Sequence, residues 1–126
     1  MSNINSNLII TELPNKKVFH EALESNPGII IIKFGAEWCA PCKKIETHVK
    51  ILMNKMPSNV QNYIVDIDDS LEIYSFLKNK KMVNGIPVIL AYYKENTSYI
   101  PDDVVIGADA IKINEFFERS YKKALE

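Results

Sequence analysis

Six residues dominate what this chain can become: Ile29-Ile30-Ile31-Ile32-Lys33-Phe34 is a β-branched, nearly continuous apolar run. Such runs belong to central strands covered on both faces, because a strand wet on one side alternates polar with apolar residues. Asn26-Pro27-Gly28 stops whatever precedes the run. Upstream, Leu8 to Thr11 reads as a short strand, and Asn15 to Ser25 as a helix with Phe19, Ala22 and Leu23 on one stripe. Downstream, Ile45, Val49, Ile51, Leu52 and Met56 recur at helical spacing until Pro57-Ser58-Asn59. Val60 to Ile67 is a third strand, and Leu71 to Asn79 a short helix with Ile73, Phe76 and Leu77 inward. Pro87 opens a fourth strand, Val88 to Tyr93, and a short polar connection to Val104–Gly107 suggests an antiparallel hairpin. Ile111 to Leu125 closes the chain as an amphipathic helix with Ile113, Phe116, Phe117, Tyr121 and Ala124 on its inner face. The order is βαβαβαββα, an α/β class in which alternation of strand and helix implies parallel pairing.

At 126 residues the chain is expected to be one domain, residues 1–126, with 1–7 a flexible N-terminal extension. Its net charge of -1, from 15 basic and 16 acidic side chains, provides no field for phosphate backbones or anionic lipid, so nucleic acid is not an expected partner. The longest purely apolar run, Ile29 to Ile32, falls far short of the ~20 residues of a membrane helix, and no membrane is expected. Met1 to Asn7 has neither the basic flank nor the apolar stretch of a secretory signal, which makes a cytoplasmic location the expectation.

Two cysteines in such a chain argue for a redox or metal role rather than a structural disulfide framework. Cys39 and Cys42 are separated by two residues at the start of a helix, so they can close a small disulfide ring. Unpaired backbone N–H groups at that end favour an anion, which makes Cys39 the expected nucleophile. Cys42, one turn further in, is the expected resolving thiol. Pro41 is tolerated in a first helical turn, where its missing N–H has no intrahelical partner, and it stiffens the loop between the sulfurs. The competing reading is half of a zinc site. The other soft candidates, His20 and His48, do not make the second paired ligand turn, and no metal is expected.

The segment Phe34-Gly35-Ala36-Glu37-Trp38-Cys39-Ala40-Pro41-Cys42-Lys43 resembles the active-site signature of the thioredoxin family. Gly85-Ile86-Pro87-Val88 resembles the family's second signature, and Asp66-Ile67-Asp68 and Gly107 also stand in family positions. The resemblance runs from about Leu8 to Leu125 and implies a thioredoxin fold, a central mixed sheet with helices on both faces. It implies a cis Ile86–Pro87 bond facing the disulfide, with the Ile86 backbone free to pair with an extended substrate. Trp38, Ala40, Pro41, Ile86 and Pro87 are then the expected docking residues. The implied activity is reduction of protein disulfides by dithiol–disulfide exchange. The chain would use no bound cofactor beyond the Cys39–Cys42 disulfide, take electrons from a thioredoxin-reductase-like donor, and act as a monomer.

The chain departs from the family at several positions. Lys33 stands where the family has a buried aspartate, and Ile64 lies near the place of that aspartate's lysine partner. Lys33 can be a neutral base, a cation favouring the Cys42 thiolate, or a side chain that snorkels to the surface without a chemical role. Thr47 replaces a helix-kinking proline, which suggests a straighter helix, and Gly35 replaces an aromatic, which suggests a gap beneath Trp38. Glu95 to Asp103 reads as a tolerated insertion, with a partner-contact loop as the weaker reading. Lys33 and Thr47 motivate an alternative function, a thioredoxin-fold binding module with little turnover; a glutaredoxin-like, glutathione-dependent reductase is a third reading, against which Trp38 and Ala40-Pro41 resemble thioredoxins more.

Overall fold

The computed structural model of the protein describes residues 8–126. The elements run β1 (Ile9–Ile10), α1 (Lys16–Glu24), β2 (Ile29–Gly35), α2 (Ala40–Lys44), α3 (Glu46–Asn54), β3 (Val60–Asp66), α4 (Leu71–Asn79), β4 (Val88–Tyr93), β5 (Asp103–Ile106) and α5 (Ala110–Ala124). The five strands form one sheet in the order β1-β3-β2-β4-β5. β1 and β2 lie parallel to β3, whereas β4 runs antiparallel to β2 and pairs with β5 as the expected hairpin. The expected flexible extension, residues 1–7, falls outside the described residues. Among the described residues no helix is long and apolar enough to cross a membrane.

β2 is the middle strand, and every one of its residues is buried. Because side chains alternate across a strand, Ile30, Ile32 and Phe34 enter one core with Phe19, Leu23, Tyr74, Leu77 and Tyr92 beneath α1 and α4. Ile29 and Ile31 enter the other, with Val49, Met53, Phe116 and Phe117 beneath α3 and α5. Lys33 and Gly35 continue the second row. The same period that makes β2 central therefore aims Lys33 at the layer that carries the cysteines.

Three details differ from the sequence-based expectation. The helix after the cysteines is not a straighter single element: it breaks at Ile45 (φ -103°, ψ 1°) between α2 and α3. β-Branched residues form helix less readily, and Ile45 and Thr47 mark this as the place where the helix yields without a proline. The Ile45 carbonyl still accepts the Val49 N–H at 2.9 Å, so the break leaves the entry to α3 hydrogen-bonded. Ile51 is exposed rather than inward, because it lies two residues past buried Val49 on the opposite side of the helix. Tyr121 is likewise exposed; Ser120, seven residues past Ile113, takes the inner position on α5.

Candidate functional site

The cysteines sit where the C-terminal end of β2 turns into α2. Cys39 is the N-cap of α2, in extended conformation, and its Sγ accepts the Cys42 N–H at 3.2 Å. Ala40 and Pro41 occupy the first helical turn, exposed to solvent, as expected for a proline in that place. Cys39 and Cys42 are joined by a disulfide with their Cα atoms 5.3 Å apart. Cys39 is 6% exposed and Cys42 2%, so the pair shows one edge to solvent and the second sulfur faces the protein.

Three segments converge on this pair. The loop before β4 brings Ile86, which packs on Ala36, Cys39 and Cys42, and the Ile86–Pro87 peptide is cis. Among the described residues the Ile86 backbone has no hydrogen-bond partner, whereas the Pro87 carbonyl is taken by the Gly107 N–H at 2.9 Å. The turn after β3 brings Ile67, whose N–H donates to the Gly35 carbonyl at 2.9 Å and whose side chain also packs on the cysteine cluster. Asp66 organises that turn, its carboxylate accepting the Glu37 N–H at 3.2 Å and the Asp68 N–H at 2.8 Å. Trp38 is 66% exposed, and its Nε1–H donates to Asp68 Oδ2 at 2.8 Å, which fixes a large apolar face beside the disulfide. The sequence places Ile67 and Asp68 only in family positions; their work becomes visible once the β3 exit is seen beside the β2 exit. The signal that could have found them is the acid-apolar-acid turn directly after a parallel neighbour of β2.

Lys33 is 3% exposed, which rules out snorkelling to the surface. Its register partner on β3 is Ile64, so the neighbouring strand offers no counter-charge there. Among the described residues it makes no ion pair. Burial pushes the amine below its ordinary range; Glu46 opposes that shift, and Lys50 and Lys43 add to it. Glu46 itself is held below the usual carboxylate range, chiefly by its hydrogen bond to Lys50 at 3.0 Å. A Cβ on Gly35 would stand 3.4 Å from Cys42 Sγ and 3.5 Å from Lys33 Nζ, so the missing side chain leaves space that borders both the sulfur and the amine. A half-open cleft of about 870 Å³ reaches this region, lined by Lys33, Gly35, Cys42, Glu46, Ile64 and Asp66 among others.

A stability effect follows from the lowered amine. Below its folded pKa, Lys33 is charged in both the folded and unfolded states, and the full burial penalty is present. Between the folded value and the ordinary 10.5 the folded protein has shed a proton that the unfolded chain keeps, so stability rises with pH across that window. Lys33→Met should therefore stabilise the oxidised protein at neutral pH by about 1–3 kcal/mol, the cost of burying an unpartnered polar group. Denaturant unfolding of both proteins across the window should show the gain shrinking toward pH 10.5. A gain independent of pH would mean that the amine bears no burial cost.

The two histidines are occupied elsewhere: His20 Nε2 lies 3.3 Å from Glu24 and His48 Nε2 lies 2.7 Å from Asn114 Oδ1. Among the described residues no group of three or more His, Cys, Asp and Glu side chains is placed to hold a metal ion.

A mixed five-stranded sheet with a bonded Cys-x-x-Cys pair capping a helix, faced by a cis-proline loop, defines a thiol–disulfide exchange protein by fold and site. The family model described as Thioredoxin matches residues 10–119, and the chain belongs to the thioredoxin family. A thioredoxin 3 of Plasmodium falciparum (isolate 3D7) is 28% identical over 112 residues, 88% of this chain; the match spans only 59% of that relative's length. A thioredoxin of Sus scrofa is 35% identical over 75 residues, 59% of this chain and 70% of that one. A solved thioredoxin of Plasmodium falciparum is 28% identical with a TM-score of 0.67, covering 86% of this chain and 84% of its own. Family, relatives and the cysteine pair at bonding distance together support thiol–disulfide oxidoreductase activity.

Proposed function

We propose that the chain reduces protein disulfides, with Cys39 as nucleophile and Cys42 as resolving thiol. The observation that carries the reading is the bonded Cys39–Cys42 pair set at the edge of an apolar surface made by Trp38, Ile67 and Ile86. In the dithiol form the Cys42 N–H is already placed to donate to a Cys39 thiolate, because it donates to that sulfur in the disulfide. The thiolate attacks a substrate disulfide; a mixed disulfide forms and the first substrate thiol leaves. Cys42 then attacks Cys39 Sγ, the internal disulfide closes, and the second substrate thiol is released. Trp38, Ala40, Pro41, Ile86 and Pro87 form the docking rim, and the unpaired Ile86 backbone suits an extended substrate segment.

The chain needs no bound cofactor for these steps. A separate thioredoxin-reductase-like donor would return it to the dithiol. Both cysteines of the chain are spent on the exchange centre and none on a structural bridge, which suits the reducing cytoplasm and action as a monomer.

Buried, unpaired Lys33 favours a second reading, a binding module with little turnover, because it removes the family's aspartate. Cys42→Ser separates the two. Without its resolving thiol the exchange protein should accumulate dithiothreitol-reversible adducts at Cys39 with disulfide-bearing proteins, seen on non-reducing gels and by mass. Partners retained only non-covalently would support the binding module.

A further inference from the structure

We propose that the cleft beside α2 is a binding site for a small aliphatic amino carboxylate, whose carboxylate pairs with Lys33 at the floor and whose ammonium faces Glu12 and Asp69 at the mouth. The site is separate from the exchange surface: Cys42 reaches its inner wall, but Trp38, Cys39, Ile86 and Pro87 do not line it.

Alternation along the strands sets the floor. Lys33 projects from the same face of β2 as Ile29 and Ile31, and its register partner Ile64 projects from that face of β3. Ile9 on the edge strand β1 and Ile64 pack against the same core cluster, yet both stay half-buried. The helical layer over β2 thus leaves the outer corner of the sheet, at β1 and β3, partly open. Gly35, two residues past Lys33, adds no side chain there; a Cβ would stand 3.5 Å from Lys33 Nζ. The result is a half-open cavity of about 870 Å³ with aliphatic walls from Ile9, Leu13 and Ile64, within the size range of small-ligand sites.

The charges of the cavity sort by depth. Lys33 is 3% exposed and lies at the floor, whereas Glu12 and Asp69 are exposed and lie at the mouth. The other charged groups of the lining are engaged already. Lys43 pairs with Glu37 at 3.0 Å and with Glu46 at 3.7 Å, and Lys50 pairs with Glu46 at 3.0 Å. Asp66 accepts the N–H groups of Glu37 and Asp68. Among the described residues this leaves the Lys33 amine without an ion pair or hydrogen bond, and the Glu12 and Asp69 carboxylates without a partner.

That pattern selects a ligand. A buried ammonium without a counter-ion is costly, and β3 offers Ile64 beside it rather than an acid. A carboxylate entering the cavity offsets the cost by forming a charge-assisted hydrogen bond to Lys33. Two uncompensated carboxylates at the mouth repel a ligand that is anionic throughout and attract one whose far end is positive. Between the two ends the aliphatic walls suit a short methylene chain.

The test uses linear aminohexanoate, which carries its amine and carboxylate at opposite ends, with hexanoate and hexylamine as its two halves. Each is titrated into isotopically labelled, oxidised protein, and backbone amide shifts are followed by NMR. Aminohexanoate should give saturable shifts centred on Ile64, Asp66 and Asp69. Hexanoate should bind more weakly, and hexylamine should not saturate. Lys33→Met should weaken aminohexanoate about tenfold or more, as expected for loss of one bond to a charged group. Glu12→Gln combined with Asp69→Asn changes only exposed side chains, and should bring aminohexanoate down to the affinity of hexanoate. The proposal is overturned if aminohexanoate does not saturate the native protein, if its shifts centre on Trp38 and Ile86, or if Lys33→Met binds it as tightly as the native protein does. Equal affinity of the native protein for aminohexanoate and either of its halves would also overturn it.

Discussion

Cys39→Ser should reduce insulin in the presence of dithiothreitol no faster than dithiothreitol alone. The hydroxyl that replaces the thiol is neither ionised at neutral pH nor able to form a mixed disulfide, so nothing remains to split one difficult exchange into two easy ones. Loss of a covalent nucleophile generally costs a factor of about 10³ or more. No neighbour can take over, because Cys42 is 2% exposed and lies behind Cys39. The protein should still fold, since Cys39 contributes a cap and one edge of a small cluster rather than the main cores. Turbidity from precipitating insulin chains gives the rate, and thermal unfolding shows that the variant is folded. Activity retained in Cys39→Ser would place the chemistry elsewhere in the molecule.

Phe116→Ala should be the most damaging core substitution on α5. Phe116 is fully buried, meets Phe117 edge to face at 5.4 Å, and packs in the cluster with Val49, Met53, Ile29 and Ile31. Removing a buried phenyl ring costs about 3–5 kcal/mol, transfer and cavity terms together. A domain of this length has roughly 5–15 kcal/mol in total, so the variant should lose a large part of its margin and about 10–20 °C of melting temperature. Tyr121→Ala is the matched control: the sequence pattern places it inward, the structure leaves it exposed, and its cost should be within about 0.5 kcal/mol. Urea unfolding of the oxidised proteins measures both. Equal losses at the two positions would contradict the burial described for α5.

These expectations show where the fold is legible in the sequence. β2 is readable because four isoleucines in succession have no use except between two covered faces, and α4 keeps its bounds because Ser70 and Lys80 flank a clean apolar stripe. The break at Ile45 is not readable: Thr47 draws attention to a missing proline, while the backbone turns two residues earlier. Ile51 and Tyr121 are apolar enough to read as inward, but the angle around the helix turns both to solvent, and the inner position on α5 falls to a serine. At the site, the motif alone brings Cys39, Cys42 and Trp38 to one place. The partners of these residues come from chain segments about thirty and forty-five residues on, and only sheet topology brings those together. Lys33 illustrates the same limit. Period-2 alternation gives its face, but its depth and its distance from Cys42 depend on how α2 packs over Gly35.

The proposed function requires electron transfer from the Cys39–Cys42 pair to a protein disulfide. Fully reduced chain, freed of dithiothreitol, is mixed with insulin, and both proteins are then weighed by mass spectrometry after acid quenching. Each insulin disulfide opened should be matched by one chain lighter by two hydrogens, with the new bond mapped to Cys39 and Cys42. Insulin left intact beside a chain that keeps both thiols would contradict it.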